Sequence, residues 1–194
     1  MHNDRRQRLW LGTFEGLYLW DQKSLKNLSS ENRVFSDRIV AIREMDNGDL
    51  VVASLSNGIA LIRDTGTILI HKGNGLPMAF INDMQVNGSQ IWISTNQGFT
   101  MVDTMAVPFS IRQAGLGSGL PTLNIQDFAV TGGWIYIKWL NKVATLPLSD
   151  FIRPAQLDSV RFKNIYIHGH PHQPTPYRNF RHAQNDIEFH FKGI

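Results

Sequence analysis

The 194-residue chain contains no cysteine. That absence excludes disulfides, thiolate nucleophiles and every zinc site built on cysteine. No apolar run approaches the roughly 20 residues needed to cross a bilayer. The opening MHNDRRQRLWLGTF has neither a long apolar core nor a small-residue cleavage motif, so it does not read as a signal peptide. Any export signal or membrane anchor is therefore expected outside this sequence. Charge is also sparse, at 18% of residues, with 19 Lys+Arg against 16 Asp+Glu. Among the basic residues only Arg5, Arg6 and Arg8 form a tight cluster, and no basic stripe interleaves with aromatics. A nucleic-acid surface is not expected. Helical periodicity is almost entirely missing, and that leaves strands and turns to build the fold.

One stretch raises a metal question. IHGHPHQPTPY places His168, His170 and His172 at alternate positions, which on a strand would point one way. Gly169, Pro171, Pro174 and Pro176 interrupt that alternation, since proline cannot donate to a ladder. The expected reading is a loop between two strands, with no metal site assigned.

What the chain does have is repetition. LWLGTFEGLYLWD, LVVASLSNGIALIRD and IWISTNQGFTMVD each run from a short apolar segment through a polar Gly turn to a second apolar segment closing on Asp. A degenerate fourth copy is IYIKWLNKVATLPL. Their central residues Trp10, Val51, Trp92 and Tyr136 recur every 41 to 44 residues. A second element keeps the same period: GLPMAFINDMQV begins at Gly75 and GLPTLNIQDFAV at Gly119, with SDRIVAIREM (36–45) a weaker version. Segments that are short, β-branched or aromatic and bounded by Gly, Asn and Asp read as strands. Four antiparallel strands in about 40 to 45 residues is the size of a β-propeller blade. A sandwich does not usually repeat at fixed period, and a solenoid repeat is shorter. Trp10 and Trp92, recurring at blade spacing, are expected as filler between blades.

The motif D-x-x-G-x-L-W-I-G-T-x-x-G-L is that of the two-component regulator propeller repeat, found in the sensor regions of hybrid histidine kinases. DRRQRLWLGTFEGLYLWD and VNGSQIWISTNQGFTMVD resemble it, DNGDLVVASLSNGIALIRD does so in more diverged form, and the GLPxxxIxD link is similar too. The resemblance covers about residues 3–148. Further on, VRFKNIYIHG and NDIEFHFKGI look like the first strands of that family's immunoglobulin-like, tyrosine-rich domain.

The expected fold is therefore all-β: three to four four-stranded propeller blades in an incomplete ring, then the first strands of an immunoglobulin-like β-sandwich. The expected domains are 1–148 (partial propeller), 149–157 (linker) and 158–194 (truncated immunoglobulin-like domain). Because the first blade motif has no inner strand before it and so few blades close no ring, the chain reads as a fragment of a longer protein or as one piece that pairs with another. The resemblance implies a periplasmic, extracytoplasmic sensor region of an inner-membrane protein, a carbohydrate cue, and signal relay to a kinase outside this chain. It also implies the remaining blades and domains of the same receptor as partners, together with a homodimer, and membrane contact only through absent segments. Other functional readings are a scaffold for protein partners and, less favoured, a propeller lyase or hydrolase.

In an antiparallel four-strand blade, the turn after the second strand and the link from the outer strand to the next blade emerge on one face. That face gives the ligand-binding candidates Phe14, Glu15, Asn74, Phe80, Asn96, Gln97, Asn124, Trp139 and Asn141. Aromatic, amide and carboxylate groups of this kind stack on and hydrogen-bond a polar ligand. No catalytic residue is assigned: a G-x-S-x-G elbow is missing, and GLGSGLP is a link rather than a phosphate cradle. Asp83 and Asp127, which with Glu15 would be the carboxylates for glycosidase chemistry, recur with the repeat and are better explained by turn or inter-blade hydrogen bonding. No cofactor is expected.

Overall fold

The computed structural model describes residues 1–77, 80–114, 120–152, 160–167, 170–172 and 187–193. Two units are distinguished, Met1–Ile152 and Arg153–Ile194. The first contains four antiparallel sheets, each a meander in which sequence neighbours pair. Blade 1 holds β1 (His2–Asn3), β2 (Leu9–Thr13), β3 (Gly16–Trp20) and β4 (Leu25–Asn27). Blade 2 holds β5 (Ile39–Glu44), β6 (Leu50–Ser54), β7 (Ile59–Arg63) and β8 (Gly66–Ile70). Blade 3 holds β9 (Ile81–Asn87), β10 (Gln90–Thr95), β11 (Gly98–Asp103) and β12 (Ser110–Ala114). Blade 4 holds β13 (Asp127–Thr131), β14 (Trp134–Trp139) and β15 (Lys142–Pro147). These are propeller blades in an incomplete ring, as the repeat predicts.

Two details differ from the sequence reading. Blade 1 does have an inner strand: β1 pairs His2 with Trp10 and Asn3 with Leu9. At two residues it is too short to register as an apolar alternation. Blade 4 has three strands, and the helical turn α1 (Leu148–Ile152) follows β15 where an outer strand or linker was expected. Leu148 and Phe151 of this turn pack on the apolar core below, Phe151 lying 4.9 Å from the Trp92 ring centroid. Residues 153–157 of the expected linker lie outside the described residues.

Strand alternation divides each blade's side chains between two neighbours. Ile42, Leu50, Val52 and Ala60 of blade 2 meet Trp10 and Leu17 of blade 1. Their alternates Ala41, Val51, Ala53, Ile59 and Leu61 meet Ile81, Met84, Ile91 and Ile93 of blade 3. The other face of blade 3 carries Trp92, Phe99 and Met101 against Phe128, Ile135 and Ile137 of blade 4. Trp10 and Trp92 are both buried in these seams, and the Trp10 indole donates to Asp4 Oδ2 at 2.9 Å. Neighbouring inner strands are also tied by amide side chains. Asn82 donates to the Ile125 carbonyl at 2.8 Å, and Gln85 donates to the Phe128 carbonyl.

The second unit is a three-stranded antiparallel sheet of order β17–β16–β18, with β16 Val160–Ile167, β17 His170–His172 and β18 Ile187–Gly193. β16 and β18 are the two alternating strands the sequence pointed to, paired with a bulge between Phe162 and Asn164. β17 corrects the loop reading of the histidine stretch. His170, Pro171 and His172 pair back onto Ile167, Tyr166 and Ile165 as a short edge strand. Proline is tolerated there because an edge strand leaves one row of backbone groups unpaired. His168 lies outside the described residues, as do the residues from 173 to 186.

Candidate functional site

The turns between the second and third strands share one construction, which explains the repeat's hydroxyl and glycine. Thr13, Ser54 and Thr95 each end a second strand and donate a hydroxyl hydrogen bond to the carbonyl of Gly16, Gly58 and Gly98, at 2.9, 3.1 and 2.9 Å. Those glycines have φ of 128°, 96° and 113°, a region L side chains rarely adopt. At Gly58 a Cβ would also stand 2.3 Å from the Ile70 carbonyl oxygen. Each turn is then fastened to the link beside it. Leu55 N donates to Arg38 O and Ile81 N to Leu55 O, at 2.8 and 2.9 Å; one blade on, Asn96 N donates to Phe80 O and Ile125 N to Thr95 O, both at 3.2 Å. Turns and links thus form one continuous face across the blades.

The nine predicted residues divide on this face. Asn74, Asn96 and Asn124 have side chains engaged within the protein, the first two with the backbone. Asn74 Oδ1 accepts from His71 N at 2.6 Å and its amide donates to the Leu69 carbonyl at 2.7 Å. Asn96 Oδ1 accepts from Phe80 N at 3.1 Å, and Asn124 Oδ1 accepts from the Asn82 amide at 3.3 Å. Trp139 is half-buried and packs on the core between blades 3 and 4, so only part of its ring is presented. Phe14, Glu15, Phe80, Gln97 and Asn141 are exposed. Glu15 and Gln97 occupy equivalent turn positions, their own N–H groups bonded to the Thr13 and Thr95 hydroxyls. The Arg38 guanidinium lies 4.4 Å from the Phe14 ring centroid, making a flat cationic–aromatic surface in blade 1.

Sequence reasoning passed over blade 2's part of this face. Its turn, Leu55–Ser56–Asn57, has one residue more than its counterparts, and Asp37 of the preceding link holds it. Asp37 Oδ2 accepts from Ser56 N (2.8 Å), Ser56 Oγ (2.9 Å) and Asn57 N (3.1 Å). Burial alone would raise the Asp37 pKa, but these donors and Arg38 N outweigh it and hold the group below the ordinary carboxylate value. Beside this turn is a cavity of about 110 Å³ lined by Arg33, Ser56, Asn57, His71, Lys72 and Leu76, among others. The signal that could have found it was the aligned LSNG turn followed by the basic HKGN link.

The paired carboxylates weighed for acid–base work come out differently. Burial pushes the Asp83 pKa up, with repulsion from Asp127 adding to it, while Met84 N and Arg43 act the other way. Arg43 Nη2 lies 3.6 Å from Asp83 Oδ1, across the seam between blades 2 and 3. Asp83 thus takes part in an inter-blade contact.

Two larger clefts lie elsewhere. Ile68, Ile70, Val107, Phe109 and Ile111 line an apolar groove of about 400 Å³ between the outer strands of blades 2 and 3, with Arg63 and Asn74 also at its wall. On the opposite turns, Arg5, Arg6, Arg8 and Arg63 line a polar cleft of about 410 Å³ with Asp4, Glu44, Asp49 and Asp64, and all four arginines are ion-paired. There the Asp4 carboxyl is pushed up by burial but held below its ordinary value by the Trp10 indole and Arg8.

No family model and no curated protein matches the sequence. Solved structures do match in fold. The extracellular domain of B. thetaiotaomicron BT3049, assigned to a hybrid two-component system, aligns over 99% of this chain with a TM-score of 0.70 and 19% identity. That of BT4673 from the same organism aligns over 99% with a TM-score of 0.62 and 15% identity. A second BT4673 structure aligns over 95% at 0.61 and 15%. BT4673 is assigned to a one-component system in the former and to a hybrid two-component system in the latter. The chain spans only 25% to 28% of the length of these neighbours. No described helix is long and apolar enough to cross a membrane.

Proposed function

We propose that this chain is part of the extracytoplasmic sensor region of a two-component regulator, non-catalytic itself, whose turn-and-link face recognises a carbohydrate. The observation that carries the reading is the match along 99% of the chain to an extracellular domain assigned to a hybrid two-component system. The face supplies what a saccharide needs: exposed Phe14 and Phe80 for stacking, and Glu15, Gln97 and Asn141 for hydroxyl groups. Binding there would be relayed through the second unit, read as the opening of an immunoglobulin-like domain, to a histidine kinase outside this chain. The remaining blades of the same receptor, and a second receptor copy, are the partners this reading requires.

A thermal-shift screen of the chain against a broad oligosaccharide panel tests it. Ligand at 100 times its Kd stabilises by about 2.7 kcal/mol, which in a protein of this size moves Tm by roughly 5–10 °C. A shift confined to one glycan class is the expected result. No shift across the panel would discard the carbohydrate and favour a scaffold for protein partners, to which the apolar groove between β8 and β12 is suited.

A further inference from the structure

The small cavity beside blade 2's turn differs chemically from the rest of the face. We infer that it is an anion subsite, taking one carboxylate or sulfate group carried on the saccharide; the inference rests on the carbohydrate reading above and adds the charge of the ligand to it.

Several residues lining this cavity carry hydrogen-bond donors. Arg33 is exposed and its guanidinium makes no hydrogen bond or ion pair to a described residue. Lys72 also lines the cavity. His71 Nδ1 accepts from Gly73 N at 3.0 Å, so in the neutral ring the proton sits on Nε2 and that nitrogen too is a donor. The Asn57 side-chain amide adds further donor capacity. The carboxylate that touches this turn, Asp37, is occupied: its Oδ2 takes the Ser56 and Asn57 N–H groups and the Ser56 hydroxyl. That oxygen is held within the turn by three donors, leaving the Arg33 guanidinium and the His71 imidazole to set the character of the cavity.

Size restricts the occupant. At about 110 Å³ the cavity is smaller than the roughly 150 Å³ that accepts a benzene ring, a size that suits a substituent better than a whole sugar ring. Planar carboxylate and tetrahedral sulfate both satisfy a guanidinium fork, and both are met as saccharide substituents in uronic acids and sulfate esters. Leu76, buried beneath, gives the cavity an apolar side that strengthens the charge pairing.

The test is an NMR titration of the full chain with glucuronate, inorganic sulfate, glucose, and acidic and neutral oligosaccharides, with the Asn57, Lys72 and Gly73 amides as reporters. Both anions are expected to move these amides while glucose does not, and Arg33→Gln to weaken anion binding about tenfold. Arg33 is exposed, so this variant keeps the fold. Equal response to glucuronate and glucose, or anion binding unchanged in Arg33→Gln, overturns the subsite. The arms also separate the two readings. Anion binding that depends on Arg33, without affinity for any oligosaccharide, leaves the subsite standing and removes the carbohydrate. Neutral oligosaccharides binding while neither anion does removes the subsite alone. If glucuronate responds and sulfate does not, the substituent is a uronate; the reverse outcome assigns a sulfate ester.

Discussion

Blades 2 and 4 arise from one repeat, yet their second strands are used in opposite ways. β6 (LVVAS) is buried at all five positions, whereas β14 (WIYIKW) alternates, with Ile135 and Ile137 buried and Trp134 and Tyr136 partly exposed. The difference is one of neighbours. Blade 2 is packed on both faces, against blade 1 through Val52 and against blade 3 through Val51. Blade 4 meets blade 3 through one face, and within the first unit nothing described covers the other. A strand enclosed on both faces carries a continuous apolar run, while one enclosed on a single face needs only alternate apolar positions. β14 keeps aromatic residues on its open side and so reads, in sequence, like an enclosed strand.

The sharpest way to break the comparison is at a seam. Trp92 is fully buried between blades 3 and 4, against Phe151. Trp92→Ala is expected to cost about 3–5 kcal/mol, from lost burial and the cavity left behind, read from the urea midpoint at unchanged slope. A loss below about 1 kcal/mol would mean that blade 4 is not docked on blade 3 in solution.

The turns give the next contrast. Blade 2's turn is held by the Asp37 carboxylate, whereas blade 4's is a two-residue turn, Leu140–Asn141, closed by the Trp139–Lys142 pair and with Leu140 at φ 49°. Asp37→Ala leaves Ser56 N, Ser56 Oγ and Arg38 N without this acceptor, while Asn57 N keeps Ser54 Oγ, and it is expected to destabilise the chain by about 1–3 kcal/mol at neutral pH. The sign of the pH dependence follows from the lowered folded pKa. The carboxylate contributes its stability above the unfolded value, near 3.8, and loses it as pH falls through the lower folded value. Stability curves of wild type and variant should therefore run apart near pH 7 and converge below about pH 4. Parallel curves down to pH 2.5 would show that Asp37 does not carry the turn.

How much of this was legible in the residues depends on whether a feature repeats. The blade order, the buried Trp10 and Trp92 and the hydroxyl–glycine turn follow from a period that two independent motifs share, because equivalent positions face equivalent surroundings. The features that went unseen are those that break the period. β1 is two residues long, α1 replaces an outer strand, and β17 pairs through a proline that alternation alone reads as a stop. The turns and links do share one face, but its amides were not separable into structural and free by residue type. Asn74 and Asn96 spend their side chains on backbone groups brought together only by folding. The basic cavity was missed for a related reason: Arg33 and His71 are 38 positions apart and belong to different links.

The smallest expected effect is at Trp134, and it tests the open side of β14 directly. This side chain is 43% exposed, against 0% for Trp92, so truncation removes far less buried surface. Trp134→Ala should cost under about 1 kcal/mol, with no dependence on protein concentration. A cost approaching that of Trp92→Ala would mean that the open face of blade 4 is covered in solution. If the cost also grew with protein concentration, the cover would be a second copy of the chain, because only a bimolecular contact adds stability in that way. A cost that stayed large at high dilution would instead place the cover within the same chain. The one substitution thus decides whether Trp134 and Tyr136 are solvent-facing residues of an alternating strand or half of an enclosed seam.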